Sequence, residues 1–153
     1  MLPLMMAFIL SFGTSQDPPS APPHPPGPKH PVVVKVGFDD KSSKVSARVA
    51  VGDTLQVELP FLSNGYIWEL SADSISKSLK RRGDPKLVPG CPGPDGKPAP
   101  RSMVFAFEAV SVDPTVRLKF EYVRRFGGKR SEPARTVDAL IRVLEAPQGP
   151  PAP

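Results

Sequence analysis

One cysteine, two histidines and one tryptophan leave this 153-residue chain few ways to build reactive chemistry. With Cys91 alone, no disulfide can close within the chain. His24 and His30 both fall in a proline-rich stretch, so a Ser/His/Asp or Cys/His arrangement would have no base held in fixed geometry. A metal site would have to be built from carboxylates, and no Asp/Glu cluster has ligand spacing. A phosphate-binding glycine loop followed by Lys and Ser/Thr is missing too. The chain therefore reads as a non-enzyme without a cofactor. No segment holds a helical period, and no apolar run reaches the roughly 20 residues needed to cross a bilayer.

Proline, by contrast, is plentiful, with 22 residues unevenly spread. Prolines crowd the segment from Pro18 to Pro31 and again from Pro147 to Pro153. Such segments bury too little apolar surface to offset the entropy of ordering, so residues 16–31 and 147–153 read as a disordered linker and tail. Ahead of them, "MLPLMMAFILSFG" is apolar and uncharged, with the length of a signal-peptide core. Small residues Gly13, Thr14 and Ser15 would allow cleavage before Gln16, although a basic leader is absent. Residues 1–15 are thus expected to be a signal peptide, and the protein to be exported to the periplasm or secreted. No cysteine follows the apolar run, so no stable membrane anchor is expected.

The part expected to fold runs from Val32 to Ala146, and its dominant signal is alternation with period two. Leu55, Val57 and Leu59 share one strand face, as do Tyr66, Trp68 and Leu70. The same holds for Met103, Phe105, Phe107 and Ala109, for Leu118, Phe120 and Tyr122, and for Val137, Ala139, Ile141 and Val143. "VVVKVGF" and "KVSARVAV" add earlier strands, and "SADSISKSLKRRG" suits either a short helical turn or a charged edge strand. Turn signals at Gly52-Asp53, Asn64-Gly65, Asp113-Pro114 and Gly127-Gly128 separate the runs. About seven short strands in one domain predict an all-β, immunoglobulin-like antiparallel β-sandwich, with a small barrel as the alternative. Trp68 would anchor the core between the sheets.

Function on such a scaffold sits on loops. Three stand out: Phe61 to Tyr66, Pro89 to Pro100, and Arg124 to Pro133. In an immunoglobulin-like order they emerge at one end of the sandwich and could form a wedge. Net charge is +5, with basic runs at Lys80-Arg81-Arg82, Arg124-Arg125 and Lys129-Arg130. These runs read as solvated surface or as attraction to an acidic partner. Aromatic residues are not interleaved with them, which argues against nucleic acid.

The order of these features resembles the chagasin family of papain-like cysteine-protease inhibitors. Here "VAVGDTLQVELP" leads into "FLSNGYIW", followed by "LVPGCPG" and "FEYVRRFGG", spanning about Lys44 to Glu145. The most specific element is Gly65-Tyr66-x-Trp68. The resemblance implies an immunoglobulin-like sandwich whose three loops plug a protease cleft reversibly, as a monomer with a protein partner. Carried over, Gly65, Tyr66 and Trp68 match the first loop, Gly90 and Gly93 the second, and Arg124 and Phe126 the third. Leu62, Ser63 and Asn64 occupy positions where the family has threonines and other residues. Arg125 and Phe126 stand where the third loop of the family has proline and tryptophan. A lost proline removes preorganisation, and Phe for Trp loses area and a donor.

Bland readings stand beside these. Tyr66 and Trp68 lie on the inward face and suit a core. Gly65 serves a positive φ under either reading. Leu62 is a contact group if exposed and a staple if buried, while Ser63 and Asn64 suit the loop tip. Arg124 and Phe126 are either an anchor pair or part of a charged, flexible connection. The rival to inhibition is an exported adhesion module binding a protein or an acidic polysaccharide. Cys91 sits in a loop as an incidental thiol or the source of an intermolecular disulfide.

Overall fold

In the computed structural model, ten strands run in chain order with one 3-10 turn, Ala72–Ser74, and no α-helix among the described residues. The described residues are 31–37, 41–74 and 76–148; the expected signal peptide, most of the linker and the last five residues lie outside them. The strands are β1 Val32–Lys35, β2 Ser42–Ala50, β3 Thr54–Phe61, β4 Tyr66–Leu70, β5 Leu79–Arg81, β6 Lys86–Val88, β7 Arg101–Ala109, β8 Asp113–Phe126, β9 Lys129–Arg130 and β10 Arg135–Leu144.

Two sheets face each other. The first has the order β1-β3-β7-β5, with β6 also on β7; the second has the order β2-β10-β8-β4, with β9 on β8. The alternating runs meet between them. Leu55, Val57, Leu59, Phe105 and Phe107 from the first sheet pack in one cluster with Leu118, Phe120, Val137, Ile141 and Val143 from the second. Most are 2% exposed or less. Phe105 and Phe120 meet with ring centroids 5.0 Å apart, tilted by 59°, a geometry that places ring edges against faces.

The sandwich is not wholly antiparallel. β1 runs parallel to β3, and β2 runs parallel to β10 over its full length from Ser42↔Thr136 to Ala50↔Leu144. Alternation fixes which face a side chain takes, but it is silent on the direction of the neighbouring strand. The chain crosses from one sheet to the other between β1 and β2, so each sheet closes one edge with a parallel strand.

The segment "SADSISKSLKRRG" holds both of its expected forms in succession, a 3-10 turn and then edge strand β5. β5 and β6 lie along the same side of β7, at Ala109–Phe107 and then Val104–Ser102. They act as one edge strand interrupted at Gly83, whose φ of 73° lets the chain turn out and back.

Candidate functional site

The strand registers place the three loops together. Phe61, the last residue of β3, pairs with Arg101, the first of β7. Val88 of β6 pairs with Ser102, so residues 89–100 leave and return at that same end. Tyr66, the first residue of β4, pairs with Arg124 near the end of β8. All three connections therefore crown one pole of the sandwich.

The first loop is held from beneath. Trp68 is 3% exposed, and its indole N–H donates to the Pro60 carbonyl at 2.7 Å. Pro60 has no N–H of its own, so this carbonyl is the anchor that β3 offers. The Trp68 ring packs on Tyr122 at 4.8 Å, and Tyr66 stacks on the same ring at 5.3 Å. Tyr122 in turn lifts its hydroxyl into the loop, 3.0 Å from Asn64 Oδ1 and 3.2 Å from the Leu62 carbonyl, sharing its proton between them. Burial raises the pKa of this phenol above its ordinary value. The Asn64 side chain also accepts from the Tyr66 backbone N–H at 3.3 Å, a local turn that asparagine favours.

These contacts sort the first-loop candidates. Of its two readings Trp68 takes the core one, as a pillar whose indole is enclosed and hydrogen-bonded. Tyr66 is half-buried against that pillar. Leu62, Ser63, Asn64 and Gly65 are exposed, with Leu62 the apolar group among them. Gly65 has φ of 83°, and a Cβ there would come within 3.3 Å of the Arg124 guanidinium. Arg124 thus lies across Gly65 and over the Tyr66 ring, 5.9 Å from its centroid.

The second loop closes the β6–β7 hairpin. A Cβ on Gly90 would fall 2.4 Å from the Pro100 carbonyl, so only glycine lets the two legs approach. Gly93 starts a tight turn, accepting from the Gly96 N–H at 3.0 Å. Both glycines shape the loop backbone and offer no side chain. Cys91 is exposed between them.

The third connection is more ordered than its composition suggested. β8 continues to Phe126, turns through Gly127 and Gly128 with φ of 58° and 77°, and returns as β9. Two successive positive φ angles are the hallmark of a tight hairpin turn matched to strand twist. Tyr122, Arg124 and Phe126 share one side of β8 by alternation, and Tyr122 is in the core. Phe126 lies on the core side but one step beyond the core, and it is 83% exposed.

Arg125, which stands where the related loop has proline, is tied down in a different way. Its guanidinium makes a two-pronged ion pair with Glu69 on β4. Arg130 of β9 reaches Glu69 at 3.3 Å and also pairs with Glu121. The hydrogen bond from Arg125 holds the Glu69 carboxyl below its ordinary range, against the opposing effect of burial. This clamp and the Tyr122 brace escaped sequence reasoning. The signal for the brace was an inward tyrosine, whose hydroxyl must find a partner.

No family model matches the sequence, and no curated protein does. Structural comparison finds matches nonetheless. A cysteine protease inhibitor from Entamoeba histolytica, EhICP2, superposes with a TM-score of 0.50 at 19% identity, over 77% of this chain and 100% of that one. The chain has the fold of a chagasin-type inhibitor. PbICP-C, solved in complex with falcipain-2, matches at TM-score 0.46 and 14% identity over 74% of this chain and 99% of that one. Amebosin matches at TM-score 0.44 and 16% identity, over 77% and 100%. At 19% identity, what this chain has in common with EhICP2 is the fold.

Proposed function

We propose that this protein is a reversible inhibitor of papain-like cysteine proteases, exported from the cell and acting as a monomer without a cofactor. The loop pole would enter the catalytic cleft and block it sterically, without covalent chemistry. The observation that carries this reading is Phe126, a nearly fully exposed aromatic ring on a rigid hairpin, beside Arg124 and the exposed tip Leu62–Gly65. Aromatic and Arg side chains are the usual anchors of protein interfaces. Exposing such a ring in water carries no benefit to the fold. The likeness to EhICP2, itself a cysteine protease inhibitor, supports the same reading through the shared scaffold.

The test is a titration of papain and of a cathepsin-L-like protease with the full chain, followed with a small fluorogenic substrate. Competitive inhibition between nanomolar and micromolar concentration is expected. Phe126→Ala should weaken it about tenfold to a hundredfold, as loss of an interface anchor does. Its unfolding free energy should stay within about 0.5 kcal/mol of the parent, because the ring supports nothing in the fold. Absence of inhibition at high micromolar concentration by a folded chain would overturn the proposal. Export is checked separately, by mass spectrometry of the mature N-terminus.

A further inference from the structure

The basic runs visible in the sequence turn out to be largely neutralised. Arg81 pairs with Asp84 at 3.8 Å, Arg82 with Glu108 at 3.9 Å, and Arg125 and Arg130 with Glu69 and Glu121. The uncompensated charge lies elsewhere, on side chains far apart in sequence. Register brings Lys44 and Arg48 of β2, Arg142 of β10 and Arg117 of β8 onto the outer face of the second sheet. All four are exposed, and none forms an ion pair among the described residues. Asp138 lies opposite Lys44 on one side and Lys119 on the other and lines the same surface as Arg117, while Arg48 and Arg142 face each other and no acid.

Arg48 and Arg142 are direct cross-strand neighbours. Like charges so placed destabilise a sheet, and no folding benefit offsets this one. Between the cations runs a shallow groove in two contiguous sections of about 500 and 510 Å³ that share Ser46 and Leu140. Lys44 and Arg48 stand along its β2 side, some 13 Å apart at the usual strand rise, with Arg117 along the other. The groove follows the strands toward the pole opposite the loops.

We infer that this groove binds a linear sulfated polysaccharide. Guanidinium groups grip tetrahedral oxyanions with paired hydrogen bonds, and arginines spaced along a straight groove suit anions repeated along a chain. No aromatic side chain lines the groove, so bases would find nothing to stack on. The groove and the loop pole lie apart, so occupancy of one leaves the other open.

The experiment is calorimetric titration of the full chain at low salt with size-defined heparin oligosaccharides, in the absence of any protease. Binding that weakens steeply with added salt is expected. Arg48→Ser combined with Arg142→Ser should weaken it about tenfold or more, and Arg117→Ser several-fold, whereas Lys80→Ser with Lys86→Ser on the other sheet should change it less than twofold. Without ligand, Arg142→Ser should leave the Tm unchanged or raised at low salt, since it removes a repulsion. No binding of heparin, equal weakening by the two double variants, or tighter binding to anionic vesicles or a single-stranded oligonucleotide would each overturn the inference.

Discussion

Trp68 and Phe126 show how register divides labour among aromatic residues. Both follow the same alternation toward the inter-sheet space, yet one is enclosed and the other stands in water. Trp68→Phe should cost roughly 1–3 kcal/mol, because it leaves the Pro60 carbonyl buried without its donor. A lowered Tm with the loop motif otherwise intact is the expected reading. Tyr122→Phe is a subtler change, since it keeps the ring stack on Trp68 and Tyr66 and removes only the hydroxyl beneath Leu62 and Asn64. It should cost about 1 kcal/mol and loosen the first loop. Faster hydrogen exchange at Tyr66 and a several-fold loss of inhibition, with an unaltered core, would register it.

The hairpin β8–β9 carries the next prediction. Its angle to the second sheet is fixed by Glu69, and the carboxylate there is held below the ordinary 4.5 by Arg125. A carboxylate with a lowered folded pKa contributes its full stabilisation above the ordinary value and loses it as pH falls through the folded one. The hairpin should therefore stay clamped at neutral pH and loosen below 4.5. Amide exchange of residues 125–130 against pH checks this. Glu69→Gln should already show the loosened exchange at pH 7 and little further change on acidification. None of this clamp was readable from "RRFGGKRSEP", which in sequence suited either an anchor pair or a charged, flexible connection. Glycine pairs signal a turn, but the ion pair that ties Arg125 down needs a partner 56 positions away.

At the scale of the whole molecule, the core was the most legible part. Every alternating run from Leu55 to Val143 faces inward as its pattern implied, because period two maps directly onto a half-buried sheet. The parallel pairing of β1 with β3 and of β2 with β10 was hidden, since face and direction are independent properties of a strand. The loop pole was legible as three stretches of unusual composition, and the basic groove was not. Lys44, Arg117 and Arg142 come from three strands separated by most of the chain, and only register makes them neighbours.

That register also gives the molecule a heading. β1 begins beside the start of β3, at Val32↔Leu55, and β10 ends beside Ala50, at Leu144. Both described ends of the chain therefore depart from the pole that lies farthest from the loops. Anything joined close to either described end, whether a bead, a sensor surface or a further domain, leaves the loops facing outward like the face of a lamp on its stem. Chains immobilised by the N-terminus and by the C-terminus should capture protease with the same affinity, and surface plasmon resonance on the two orientations would measure it.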